Sequence, residues 1–200
     1  MTGGPRRRES FAERRERRAE IDDPAVVLEA AARFLEARSR SVAEVRRRLT
    51  GAGYRIDLIE GAIERMTELG MLDDEAFARS WVESRDRSRP RGERAIREEL
   101  RLKGVDHASI DLVLAERREA VSEDDGEAIN GSRDAGPDER AARQLLERNR
   151  RAFDRVADPR RRRVRAYALL ARNGFDPDVC RSAATAFLDS GDPTEGLRES

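Results

Sequence analysis

The sequence predicts an all-α protein, an elongated array of three tandem three-helix modules, and three observations predict it. One short phrase recurs three times: a leucine, three residues, a glycine, a bulky apolar residue, then a residue that opens a new helical pattern. It reads Leu49 to Gly53-Tyr54-Arg55, Leu100 to Gly104-Val105-Asp106 and Leu170 to Gly174-Phe175-Asp176. Apolar residues around each copy recur with helical spacing, and no stretch alternates with period two long enough to make a strand. Finally, 41% of the 200 residues are charged and 38% hydrophobic. Such a chain cannot hide much of itself in one spherical core, whereas a stack of small modules suits it.

Residues 1–23 mix arginine with glutamate and are expected to form a mobile charged tail. Module 1, residues 24–71, opens with Asp23-Pro24, a capping carboxylate followed by proline at the first helical position, where a missing N–H costs nothing. The spacing predicts a helix from Pro24 to Arg38 with Val27, Ala31, Phe34 and Leu35 inward. Ser41 and Glu44 have capping-box spacing and start a second helix. Gly53 ends it, because glycine alone takes the left-handed position after a helix without a side-chain cost. Tyr54 and Ile59 then staple the third helix, although Arg55 stands where an acidic cap is expected, so this joint should be the least well sealed.

Module 2, residues 72–121, starts with Leu72-Asp73 and Phe77, another staple, on a helix from Asp74 to Arg87 carrying Phe77, Trp81 and Val82. Its joint at Gly104 pairs Val105 with Ile110. The run 122–136, rich in Gly, Asp, Glu, Ser and Asn, reads as an acidic linker. Module 3, residues 137–190, is expected to begin with a helix from Pro137 to Phe153 with Ala141, Leu145 and Leu146 inward. Asp158-Pro159 opens the next helix, and Asp176-Pro177 follows the Gly174 joint, whose staple is Phe175 with Cys180. Residues 191–200 are left as a C-terminal tail. Val45, Ile96 and Ala166 each lie one turn before the repeat leucine, and Ile63, Leu114 and Ala184 one turn beyond the staple residue, which extends the repeat to whole helices.

A formal net charge of zero conceals strong segregation. From Arg38 to Arg55 six arginines face Glu44 alone, roughly +5; from Ile56 to Glu75, Arg65 faces seven carboxylates, roughly −6. The middle helix of each module is the basic one: Arg46, Arg47 and Arg48 in the first, Arg94, Arg97, Arg101 and Lys103 in the second, Arg161, Arg162 and Arg165 in the third. Two readings of this stripe stand side by side. Solvated helix faces with Glu–Arg pairs of ~0.3–0.5 kcal/mol account for most individual arginines. Alternatively, the same face in successive modules forms a basic surface for a polyanion or an acidic partner groove.

Other residues exclude functions. No apolar run approaches the ~20 residues that span a bilayer, and the basic N-terminal stretch lacks the apolar segment of a secretion signal, so a cytoplasmic protein without membrane contact is expected. The single cysteine, Cys180, excludes an internal disulfide and reads as a small buried hydrophobe. His107 has no second histidine or nucleophile near it. Trp81, four residues after Phe77, reads as core packing. Asp73 and Asp74 are explained by helix capping. With no nucleotide-binding glycine loop, catalytic triad or metal-ligand spacing, neither an enzyme nor a cofactor is expected.

The block Phe34 to Ser41 with Glu44, Leu49, Gly53-Tyr54 and Ile59, followed by Leu69-Gly70-Met71-Leu72-Asp73-Asp74-Glu75-Ala76-Phe77-Ala78, resembles the RecX family of bacterial recombination regulators. So does Arg91-Gly92 through Ile96, Glu99-Leu100, Lys103-Gly104-Val105 and Ile110. The resemblance covers residues 24–119 well and 141–188 more weakly, through Leu170 to Phe175. It implies an all-helical stack of three-helix repeats that binds RecA, the recombinase that polymerises on single-stranded DNA, and restrains its ATPase, strand exchange and co-protease activity. The implied partner is the RecA nucleoprotein filament; weak direct DNA binding beside it and a monomeric state are also expected. The acidic insertion and the long N-terminal tail depart from the family pattern. From the residues alone, two other readings stay open: a direct nucleic-acid-binding helical module, and a helical-repeat adaptor for another protein.

Overall fold

The structure, a computed structural model, describes residues 9–123 and 136–189, with 121–123 as backbone only. Most of the expected acidic linker and the C-terminal tail at 191–200 lie outside the described residues. Among these residues there are eleven helices and no strand. They are α1 (Phe11–Ala19), α2 (Pro24–Leu35), α3 (Val42–Ala52), α4 (Ile56–Glu68), α5 (Asp74–Ser88), α6 (Glu93–Lys103), α7 (His107–Glu123), α8 (Pro137–Arg148), α9 (Arg150–Asp154), α10 (Pro159–Arg172) and α11 (Pro177–Asp189). Two compact units result: one holds the residues up to Phe77 with Lys103–Asp106, the other Ala78–Leu102 with the residues from His107 onward.

The local signals act as their chemistry requires. Gly53, Gly104 and Gly174 take φ of 100°, 83° and 81°, the left-handed region. Asp23 accepts a hydrogen bond from the Ala25 N–H, Asp158 from Arg160 and Asp73 from Ala76. Ser41 and Glu44 form both bonds of a capping box. Arg55 offers no side-chain cap to α4. Tyr54 stays half-buried, whereas Val105 and Phe175 are buried, so the first joint is indeed the most open. The twelve repeat positions Val45, Leu49, Ile59, Ile63, Ile96, Leu100, Ile110, Leu114, Ala166, Leu170, Cys180 and Ala184 are all buried.

In the first unit, α2 packs on α3 and α4. Val27, Ala31, Val45, Leu49, Ile59, Met66 and Leu72 form its core. In the second, α11 packs on α8 and α10 around Ala142, Leu146, Leu170, Phe175 and Cys180, and the rings of Phe153 and Phe187 meet edge to face at 5.6 Å. Fully burying side chains of this size stabilises by roughly 1.5–3 kcal/mol each, which outweighs the marginal propensity of helices this short.

Three elements differ from the sequence expectation. Within the stretch assigned to a mobile tail, Phe11–Ala19 is helical, because Ser10 and Glu13 make a complete capping box and the helix packs on α3. The expected Pro24–Arg38 helix stops at Leu35, and Arg38 turns away to bind Glu44 and the Ser39 carbonyl. The expected Pro137–Phe153 helix breaks at Asn149. There the side-chain amide donates to the Leu145 carbonyl at 2.8 Å, displacing the backbone N–H to Leu146. Asn173 ends α10 the same way, its side-chain amide on Leu169 and its N–H on Leu170.

One arrangement occurs in both units. In the first, the Val42 N–H at the start of α3 donates to Asp74 and the Ser41 hydroxyl donates to the Lys103 carbonyl at 2.6 Å. In the second, the Glu93 N–H at the start of α6 donates to Asp138 and the Gly92 N–H to the Asn173 carbonyl at 3.0 Å. A backbone donor at the start of α3 and one at the start of α6 are thus each satisfied by a carboxylate from the following repeat.

Candidate partner-binding surface

The basic middle helices divide into arginines that hold the fold and arginines that face water. On α3, Arg46 forks onto Glu60 at 2.6 and 2.7 Å, holding that carboxyl below the usual carboxylate range. Arg47 and Arg48, the next two residues, are exposed; Arg47 has no ion pair among the described residues, and Arg48 lies over the Phe34 ring at 5.7 Å. Lys103 donates to Glu44 at 2.9 Å. Burial opposes the charged form of Glu44, but hydrogen bonds from Lys103 and Arg38 outweigh it and bring the carboxyl down to about 2.

On α6, Arg97 binds Asp111 and, at 3.3 Å, Glu93. Arg101 is exposed with Glu98 at 3.9 Å, and Arg94 is exposed without an ion pair among the described residues. On α10, Arg162 donates to the Val156 carbonyl at 3.1 Å, Arg161 reaches Asp158 at 3.5 Å, and Arg165 is exposed and unpaired among the described residues. Within the second unit, the start of α6 meets the end of α10 at Gly92 and Asn173. Arg161 and Arg162 lie about 16–18 Å from that meeting point along α10, at ~1.5 Å per residue. The arginines of α6 and α10 are therefore not gathered into one spot.

Several charges the sequence groups with the stripe are consumed internally. Glu99 accepts from the Trp81 indole at 2.8 Å and from Arg85 at 2.5 Å, while Arg85 stacks on the Trp81 ring at 4.2 Å. Trp81 is accordingly half-buried at a polar seam, not enclosed in the core. Arg117, whose side chain is 5% exposed, joins Asp86 to Asp138. Burial pushes the Asp138 carboxyl up, against the pull of the Glu93 N–H and Arg117. Cys180 is buried, with its thiol raised by that burial, and His107 is exposed beside Asp111. Sequence reasoning passed over the arginines of α1, although Ser10 and Glu13 carry the same capping-box spacing that revealed α3.

Among the described residues no group of three or more His, Cys, Asp or Glu side chains is placed to hold a metal ion, and no helix is long and apolar enough to cross a membrane. Comparison with known proteins decides the family. Residues 28–66 match the model of the first three-helix domain of RecX, and residues 73–114 that of the second. The regulatory protein RecX of Mycolicibacterium vanbaalenii is 34% identical over 162 residues, covering 78% of this chain and 79% of its own.

The chain belongs to the RecX family.

The regulatory protein RecX of Mycobacterium ulcerans is 33% identical over 156 residues, spanning 78% of this chain and 81% of the relative. The crystal structure of RecX from Lactobacillus salivarius shares the fold, with a TM-score of 0.66 over 83% of this chain and 97% of that one, at 19% identity. The two matched RecX domains coincide with the repeats around Gly53 and Gly104. The Mycolicibacterium vanbaalenii and Mycobacterium ulcerans relatives are both named as regulatory proteins.

Proposed function

We propose that this RecX-family chain binds the RecA–single-stranded DNA filament as a monomer and restrains the ATPase, strand exchange and co-protease activity of RecA, without a reaction of its own. Membership of the RecX family carries this reading. The distribution of arginines supports it, since a regulator that lies along a polymer needs charges free to meet a partner. Arg47, Arg48, Arg94, Arg101, Arg161 and Arg165 are the side chains offered for such contacts, whereas Arg46, Arg97, Arg162 and Lys103 are engaged within the fold.

The test is the DNA-dependent ATP hydrolysis of RecA with substoichiometric added protein, together with co-sedimentation of the protein with filaments. Slowed hydrolysis and co-sedimentation are expected. Unchanged hydrolysis with the protein left in the supernatant overturns the proposal.

A further inference from the structure

We propose that the groove between α1, α2 and α3 binds single-stranded nucleic acid directly. The groove measures about 690 Å³ and is lined by Phe11, Arg14, Arg18, Arg47, Arg48 and Tyr54 among others, with no carboxylate among the described residues that line it. Of the five arginines that line it, Arg47 and Arg48 come from α3, Arg14 and Arg18 from the helix that the sequence assigned to a tail, and Arg33, which pairs with Glu29, from α2.

Charge is the first argument. None of Arg14, Arg18, Arg47 and Arg48 forms an ion pair among the described residues. Arg14 donates to the Glu9 carbonyl at 2.7 Å, and Arg18 donates to the Ala52 carbonyl at 3.4 Å while lying over the Tyr54 ring at 5.5 Å. These contacts orient the guanidinium groups without neutralising them. A guanidinium stays charged throughout the accessible pH range, so the groove concentrates four uncompensated cations on a protein of zero net charge.

The aromatic rings are the second argument. Phe11 is 63% exposed at the groove, a large apolar ring left in water on a helix that otherwise presents charge. An acidic peptide would satisfy the arginines and leave this ring idle. A single strand uses both, its phosphates on the guanidinium groups and an unstacked base on the ring. A duplex keeps its bases stacked and offers the ring nothing.

α1 is held in place to do this. Its capping box starts it, a Cβ on Gly53 would lie 2.7 Å from the Arg15 carbonyl oxygen, so only glycine admits the helix there, and Asp22 pairs with Arg55 beyond its end.

The inference requires no RecA filament, so its failure leaves the RecA proposal untouched. Fluorescence anisotropy of a labelled oligothymidylate, with the intact chain and no RecA, tests it. Binding at low salt that weakens steeply with added salt is expected. Phe11→Ala should weaken it about tenfold, within the range for loss of one base–aromatic stack. The double variant Arg47→Gln, Arg48→Gln should lower the slope of log K against log salt by about 1.4, at ~0.7 per phosphate contact on a single strand. Arg151→Gln, an exposed arginine of α9 outside the groove, should leave binding unchanged. Circular dichroism melting of each variant separates lost binding from lost folding, and Phe11 and Arg14 are outside the residues offered to RecA.

Equal binding of an oligouridylate would also support a site for single strands. The proposal is overturned by no binding at low salt, by Phe11→Ala and Arg151→Gln having equal effects, by a duplex binding as tightly as the single strand, or by polyglutamate competing as well as the oligothymidylate.

Discussion

Gly174 carries two constraints at once. Its φ of 81° lies where a side chain costs roughly 1–2 kcal/mol, and a Cβ there would sit 2.6 Å from the backbone nitrogen of Ala95. Gly70, with φ of 67°, has the first constraint only, since nothing lies within 4 Å of its Cβ position. Gly174→Ala should therefore cost about 2–4 kcal/mol and Gly70→Ala about 1 kcal/mol, as read by urea denaturation. Glu44 makes a pH-dependent contribution. Its carboxyl ordinarily titrates at 4.5 and is brought down to about 2 in the folded chain, so the stability it adds is complete above pH 4.5 and disappears as pH falls toward 2. Glu44→Gln should lose about 1–2 kcal/mol at neutral pH, between the exposed and buried limits for an ion pair, and its melting temperature should fall less than that of the parent between those pH values.

At the scale of elements, helix ends decide which segments are ordered. Ser10→Ala removes the cap of α1 and should cost it about 1 kcal/mol. Hydrogen exchange should show faster amides in Phe11–Ala19 and unchanged protection in α10 and α11. α6 is held differently, through Asp138, which accepts from its Glu93 N–H and from Arg117. Arg117→Ala would leave Asp138 without the cation that balances it in a buried place, and should cost about 3–5 kcal/mol by denaturant unfolding. The same substitution at exposed Arg151 should cost less than about 0.5 kcal/mol.

At the scale of the molecule, the basic stripe separates into charges that stabilise and charges that are available. Reversal of Arg94 and Arg165 to glutamate should weaken restraint of RecA ATP hydrolysis with the melting temperature preserved. Reversal of Arg46 and Arg97 should lower the melting temperature first, since each places a carboxylate against the one that the arginine now binds. Measuring both quantities on both pairs distinguishes a partner surface from a solvated one. If Arg94 and Arg165 can be reversed without effect on RecA, these side chains are solvated surface.

The repeat, its caps and its staples were legible because they are local: a glycine's left-handed φ, an aspartate two residues before the N–H it binds, and apolar residues one turn apart are all fixed within a few residues of chain. Val45, Leu49, Ile59 and Ile63, with their counterparts in the later repeats, could be assigned inward on that basis alone. α1 was less legible because its mixed charges outweighed a single capping box, and its order depends on contact with α3 at Gly53. Which arginines are free was not legible at all. Arg46 and Arg47 are neighbours of identical chemistry, yet Glu60, fourteen residues on, claims the first and no carboxylate among the described residues reaches the second. That distinction, and the groove that Phe11 and Arg14 complete with Arg47 and Arg48, arise only when distant helices pack, because ion pairing and exposure are properties of surfaces brought together by the fold.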